Sequence, residues 1–181
     1  MSDLIRPYNR IIKPRFEWRP QHIKSHPLSL GLVGHWMFNE GAGLKAYDLF
    51  GFQNHGILTN FDFSGTSGWQ PGKFGQALSF DGVDDYVDLG NGSSLNVSSG
   101  QGFTITAWVK TSDTEGQIVS LRNSADENPV FNLSIGYNGA TTLAGNFIPL
   151  MRYDGGTGLV EIKSSQNISD NNWHFVATVL D

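Results

Sequence analysis

No cysteine occurs in this chain, which excludes a disulfide framework, a thiolate metal site and a cysteine nucleophile. Long apolar runs are missing as well. No run of about eighteen apolar residues, the length a membrane-spanning helix needs, occurs. Ile11 and Ile12 are hemmed in by Arg10, Lys13 and Pro14, so the N-terminus lacks the apolar core of a secretory signal. Charge is sparse, at 16% of residues against about 25% in an average domain. There is no helical apolar period and no internal repeat. Glycine is plentiful, with 22 among 181 residues, a balance that favours short strands and turns over helices. The length fits one domain able to bury a core without cross-links.

The little charge there is divides unevenly near Pro27. Met1 to Pro27 holds six bases (Arg6, Arg10, Lys13, Arg15, Arg19, Lys24) and two acids (Asp3, Glu17), a balance of +4. The remainder holds six bases and fifteen acids, a balance of −9. Prolines at 7, 14, 20 and 27 forbid a regular helix in this arm. A basic, Pro-rich arm ahead of an acidic body is either a solvated leader or a segment that docks on something anionic, such as a larger assembly. Tyr8, Phe16 and Trp18 lie among the bases, but no OB-type or RRM-type strand pattern accompanies them, so nucleic acid is not an expected partner.

The body reads as strands at short intervals: Leu32 to Phe38, Gly56 to Thr59, Ala77 to Phe80, Tyr86 to Leu89, Phe103 to Lys110, Gln117 to Leu121, Val130 to Tyr137, Leu150 to Tyr153, Leu159 to Lys163 and Trp173 to Leu180. Phe103, Ile105, Ala107 and Val109 face one way and Thr104, Thr106, Trp108 and Lys110 the other. Phe131, Leu133, Ile135 and Tyr137 likewise oppose Asn132, Ser134 and Gly136. Trp173, Phe175, Ala177 and Val179 alternate on one face of a long half-buried strand. In ALSFDGVDDYVDL, Ala77 to Leu89, two such segments flank a strongly turn-forming Asp-Gly-Val-Asp-Asp, which predicts a β-hairpin. Strands separated by Gly, Asn, Asp and Ser turns indicate an antiparallel sandwich.

Four motifs stand in order: Trp36 to Gly43 (WMFNEGAG), Phe80 to Val87 (FDGVDDYV), Phe103 to Val109 (FTITAWV) and Trp173 to Ala177 (WHFVA). Together they resemble the laminin-G-like branch of the concanavalin A-like lectin and glucanase superfamily, over roughly Leu28 to Asp181. The resemblance implies an all-β, two-sheet antiparallel jelly-roll sandwich that recognises glycans or protein surfaces. It also implies a hairpin and closing strand after the Trp-His strand, so the sandwich, at 28–181, is expected to lack its C-terminal strands. The passage SHPLSLGLVGHWMFNEGAG is similar to the start of laminin-G-like proteins of tailed phages and environmental bacteria, which implies a virion or extracellular surface role. Fold alone does not fix function.

Several groups are candidates for a site. Asp81, Asp84, Asp85 and Asp88 offer hard oxygen ligands for calcium, or carboxylates that cap turn N–H groups. In the loop Asn123 to Asn128, Asp126 matches a calcium-binding Asp that laminin-G and pentraxin relatives keep, with Glu127 and Asn128 as further oxygens. Metal candidates are therefore Asp126, Asn128 and Asp84. His35, His55 and His174 lack zinc spacing. Trp69, in the loop SGWQPG, and Tyr153, before Asp154 and Gly155, are placed as sugar platforms, since a ring face matches the apolar face of a pyranose. Trp36, Trp108 and Trp173 read as core. Glu40, Glu115, Glu127 and Glu161 show no paired-carboxylate arrangement, and no nucleophile elbow or phosphate loop occurs. The four Asn-x-Ser sequons, at Asn91, Asn96, Asn132 and Asn167, read as chance.

These readings converge on a non-catalytic recognition or structural domain that binds glycan or a cell-surface protein, with calcium as an optional ligand. Two alternatives stay open. One is a glycoside hydrolase or lyase fragment whose catalytic carboxylates lie outside this chain; the other is a purely architectural module.

Overall fold

The computed structural model describes residues 26–65, 67–96, 102–122, 129–136, 144–153 and 158–180. Two compact units divide the chain, Met1–Leu32 and Val33–Asp181. In the first, the described residues form a single 3-10 turn, Pro27–Ser29. The second is all-β, with strands β1 (Lys45–Ala46), β2 (Gly56–Thr59), β3 (Gly68–Pro71), β4 (Gln76–Ser79), β5 (Tyr86–Asp88), β6 (Phe103–Val109), β7 (Gly116–Arg122), β8 (Pro129–Ile135), β9 (Phe147–Tyr153), β10 (Gly158–Glu161) and β11 (His174–Leu180). Every ladder is antiparallel: β1-β2-β5, β3-β4, β11-β6 and β10-β9-β8-β7. No helix among the described residues is long and apolar enough to cross a membrane.

Alternation sets the main core. Phe131, Leu133 and Ile135 of β8, with Phe147 of β9, Ile168 and Val176 of β11, are buried together. Phe103, Ile105, Ala107 and Val109 pack on them from β6, so the β6–β11 pair closes over one face of the four-stranded sheet. A register shift between Gln117 and Val119 in β7 lets the adjacent Ile118 and Val119 both reach this core, the usual effect of a β-bulge. The second cluster is Ala46, Leu58 and Phe61, flanked by Trp36, Phe38, Trp69, Leu78 and Val87.

Four expectations are corrected. The segment Leu32 to Phe38 is not a strand; its pairing is one bridge from Trp36 to Asp48. The His35 N–H goes instead to the Asp48 carboxylate, and Phe38 turns the chain at φ 52°. Gly34 is required here, since a Cβ would lie 2.3 Å from the Trp36 ring that folds back over it. The segments flanking 81–85 do not pair with each other: β4 pairs with β3 and β5 with β2. A tighter turn, closed by the Gly72 N–H on the Gly75 carbonyl at 2.8 Å, claims β4 first. Trp69 lies in strand β3, opposite Leu78, not in a loop. On β11 the face of Phe175, Ala177 and Val179 is the outward one, with Phe175 57% exposed, and Val176 supplies the buried contact.

Candidate functional site

The 81–85 turn is built by its own acids. Asp81 Oδ1 accepts the Val83 N–H at 2.8 Å and the Asp84 N–H at 3.4 Å, and Asp85 Oδ2 accepts the Asp81 N–H at 2.9 Å. Gly82 takes φ 78° inside this loop. Asp84, which is exposed, is tied by Oδ2 to the Asn60 side chain at 3.0 Å. Asp81, Asp84 and Asp85 each bring one carboxylate oxygen within 4.8 Å of the others. Asp85 Oδ1 is buried and has no hydrogen-bond partner, and an unpaired buried acceptor of this kind is costly. Three neighbouring carboxylates, one of them with an unpaired oxygen, offer hard oxygen donors of the kind that a cation such as calcium takes. Asp88 is apart from this group and receives the Gly90 N–H at 2.8 Å.

A cleft of about 370 Å³ lies elsewhere, walled by Phe63 and Trp69, floored by Gly41, Ala42 and Gly43, and edged by Ser67 and Gln70. The sequence reading found Trp69 but not its neighbours. Trp69 Nε1 donates to the Gly43 carbonyl at 2.9 Å, which fixes the half-buried ring against the glycine-rich floor. Phe63 stacks on the buried Phe61 with centroids 5.9 Å apart, and its ring lies so close over Gly68 that a Cβ there would sit 2.5 Å away. Both walls are thus held in place before any ligand arrives.

Trp108, expected in the core, belongs instead to a third surface. Trp108 is 43% exposed, and its ring meets Phe74 at 5.7 Å and Phe175 at 5.3 Å between centroids. The Lys73 ammonium stands 4.9 Å from the Trp108 ring centre. The signal was present, since Trp108 alternates out of phase with Phe103, Ile105 and Val109. The Phe74 contribution, 34 residues away, is set by the β3–β4 turn.

Of the remaining candidates, Trp36 packs on the second cluster and donates from Nε1 to the Asn54 carbonyl at 2.8 Å, and Trp173 is half-buried. Tyr153 ends β9, its side chain outside the described residues. Asp126 and Asn128 also lie outside them. His174 Nε2 meets Asp170 Oδ1 at 2.8 Å, and this contact, before those to Asn172, holds the Asp170 carboxyl well below the usual carboxylate range. His55 Nδ1 accepts the Asp48 N–H at 3.1 Å and takes a fold-building role.

Antiparallel sheets packed over a shared apolar core define a β-sandwich. Residues 81–181 match the family described as Concanavalin A-like lectin/glucanases superfamily, Laminin_G_3, and since that is more than half of the chain, the protein belongs to this family. No curated protein and no solved structure gives a match. Membership is compatible with binding of carbohydrate or protein, and the superfamily holds glycosidases beside its binding modules.

Proposed function

We propose that this chain is a non-catalytic recognition domain whose ligand is a glycan seated in the Trp69 cleft. The cleft carries the reading: the Phe63 and Trp69 rings line it beside glycine backbone, and a ring face matches the C–H face of a pyranose. The described residues lining it include neither Asp nor Glu, whereas glycoside hydrolysis takes two carboxyl groups about the scissile bond. The test is a glycan array read with wild type and with Trp69→Ala. Binding of a defined saccharide class that the variant loses supports the proposal. Reducing-sugar release from a polysaccharide panel would favour the hydrolase or lyase reading instead.

Calcium belongs to the same proposal, held by Asp81, Asp84 and Asp85, where it satisfies Asp85 Oδ1 and stiffens the turn. The basic arm, 1–27, is assigned to docking on a larger assembly, a virion surface included, on the strength of its charge split from the body. Deleting 1–27 is expected to abolish co-assembly and spare glycan binding; equal loss of both overturns that division.

The outward rings of Phe74, Trp108 and Phe175 favour a second reading, recognition of a protein surface. Cell binding that survives periodate oxidation of surface glycans, and is lost in Phe175→Ser, would establish it.

A further inference from the structure

We infer that Asn91 is a site of spontaneous covalent modification, at which the folded chain converts an asparagine to aspartate and isoaspartate through its own backbone. Asn91 is exposed in the turn that follows β5, and its side-chain amide meets no partner among the described residues. The next residue is Gly92, whose carbonyl accepts the Leu95 N–H at 2.9 Å while its own N–H is left undonated among the described residues. No other described asparagine precedes a glycine. Asn39, Asn54, Asn60, Asn146 and Asn167 are in addition tied down by side-chain hydrogen bonds. A glycine leaves its backbone nitrogen unshielded by a Cβ and free to swing toward the preceding side chain. Packing keeps this residue a glycine, since a Cβ at 92 would lie 2.5 Å from Asn54 Oδ1.

The reaction needs water alone. Hydroxide removes the Gly92 amide proton, the nitrogen attacks Asn91 Cγ, and the bond from Cγ to the side-chain nitrogen breaks as ammonia leaves with a proton from water. A five-membered succinimide results. Water then opens it at the side-chain carbonyl to give aspartate, or at the backbone carbonyl to give isoaspartate, in which the chain runs through Cγ. The sum is amide plus water to carboxylate plus ammonium. Both products add a negative charge, but isoaspartate also lengthens the backbone by one methylene just ahead of Gly92. That point is sensitive. Ser93–Leu95 forms a 3-10 turn, and Ser94 Oγ stands 2.9 Å from Asn54 Nδ2 and 3.1 Å from its Oδ1. Asn54 is buried, its N–H given to Asp48 and its carbonyl accepting from Trp36, which packs on the second cluster. Displacing the turn by a methylene loosens this latch, whereas aspartate leaves the backbone in place.

The experiment ages the full chain in mildly alkaline buffer, folded and unfolded in urea, and follows each peptide by mass spectrometry, with isoaspartate counted by enzymatic methyl transfer. Expected is conversion at Asn91 in the folded chain at a rate within tenfold of the unfolded one, rising in proportion to hydroxide. Asn91→Gln should slow conversion at this position at least tenfold, because its ring closure takes one more atom. The purified isoaspartate form is expected to melt several degrees below the fresh chain, and Asn91→Asp close to the fresh chain. A folded rate more than tenfold below the unfolded one means that the turn holds the Gly92 nitrogen away from Cγ, and overturns the inference. Conversion confined to the other Asn-Gly pair, Asn138–Gly139, which lies outside the described residues, overturns it as well. An isoaspartate form that melts with the fresh chain overturns the link to Asn54.

Discussion

Asp48 concentrates much of the second cluster's order in one side chain. It is 5% exposed, with Oδ1 accepting the N–H groups of His35 and Phe50 and Oδ2 that of Asn54. Asp48→Ala leaves three backbone donors short of an acceptor, at about 1–3 kcal/mol for each one that stays buried. We expect a loss of roughly 3 kcal/mol in urea unfolding, and a smaller loss for Asp48→Asn, which retains one oxygen. A change below about 0.5 kcal/mol for Ala would refute the role. Asp170 acts in the opposite setting, on the surface. Its carboxyl is held low by the hydrogen bond to His174, and Asp62 is held low by the Ser64 hydroxyl and N–H. A depressed folded value contributes stability above the unfolded value of about 3.9, and that contribution fades as pH falls toward the lower folded value. The acid limb of a stability profile should therefore be shallower in Asp170→Asn, with the variant less stable than wild type by a constant margin above about pH 5 and converging on it as pH falls below about 4. At this scale the sequence was legible for chemistry and not for placement. Trp69 could be named as a ring platform from its neighbours in the chain, but Gly43, 26 residues away, decides which way its indole points.

Strands were legible because alternation is local, while their partners were not, because partners are chosen by turns and by the other layer. Phe103, Ile105, Ala107 and Val109 face the core as read, and β8 buries Phe131, Leu133 and Ile135 as read. On β11 both faces carry apolar residues, so period 2 alone left the phase open, and Val176 rather than Phe175 meets the core. The consequence is measurable. Leu133→Ala, at a site with no exposure, should cost about 2–5 kcal/mol. Val179→Ala, 60% exposed, should stay within about 0.5 kcal/mol. Equal costs would mean that the outward face of β11 is covered in solution. The misread hairpin has the same origin: Asp-Gly-Val-Asp-Asp is turn-forming, but its carboxylates bind the loop's own N–H groups, and β5 completes a ladder with β2.

Across the whole molecule, the cation proposal becomes a linkage question. An ion that binds the folded chain and not the unfolded one raises stability by RT ln(1 + [L]/Kd), about 2.7 kcal/mol at a hundredfold excess over Kd. The body carries a balance of −9, so part of any calcium effect could be general screening of self-repulsion, which sodium at matched ionic strength would reproduce. Thermal unfolding should therefore be followed in calcium, in chelator and in chelator with compensating sodium. We expect a calcium-specific rise of several degrees that is lost in Asp85→Asn. That variant's own midpoint in chelator should equal or exceed wild type, because an amide at this position removes one of three mutually repelling carboxylates. The competing position is tested in the same experiment by Asp126→Ala. If that variant abolishes the rise and Asp85→Asn retains it, the ion belongs to the 123–128 loop, and the 81–85 acids are turn caps alone. If both variants retain it, or sodium reproduces it, the chain holds no ion at either place, and its recognition rests on the rings.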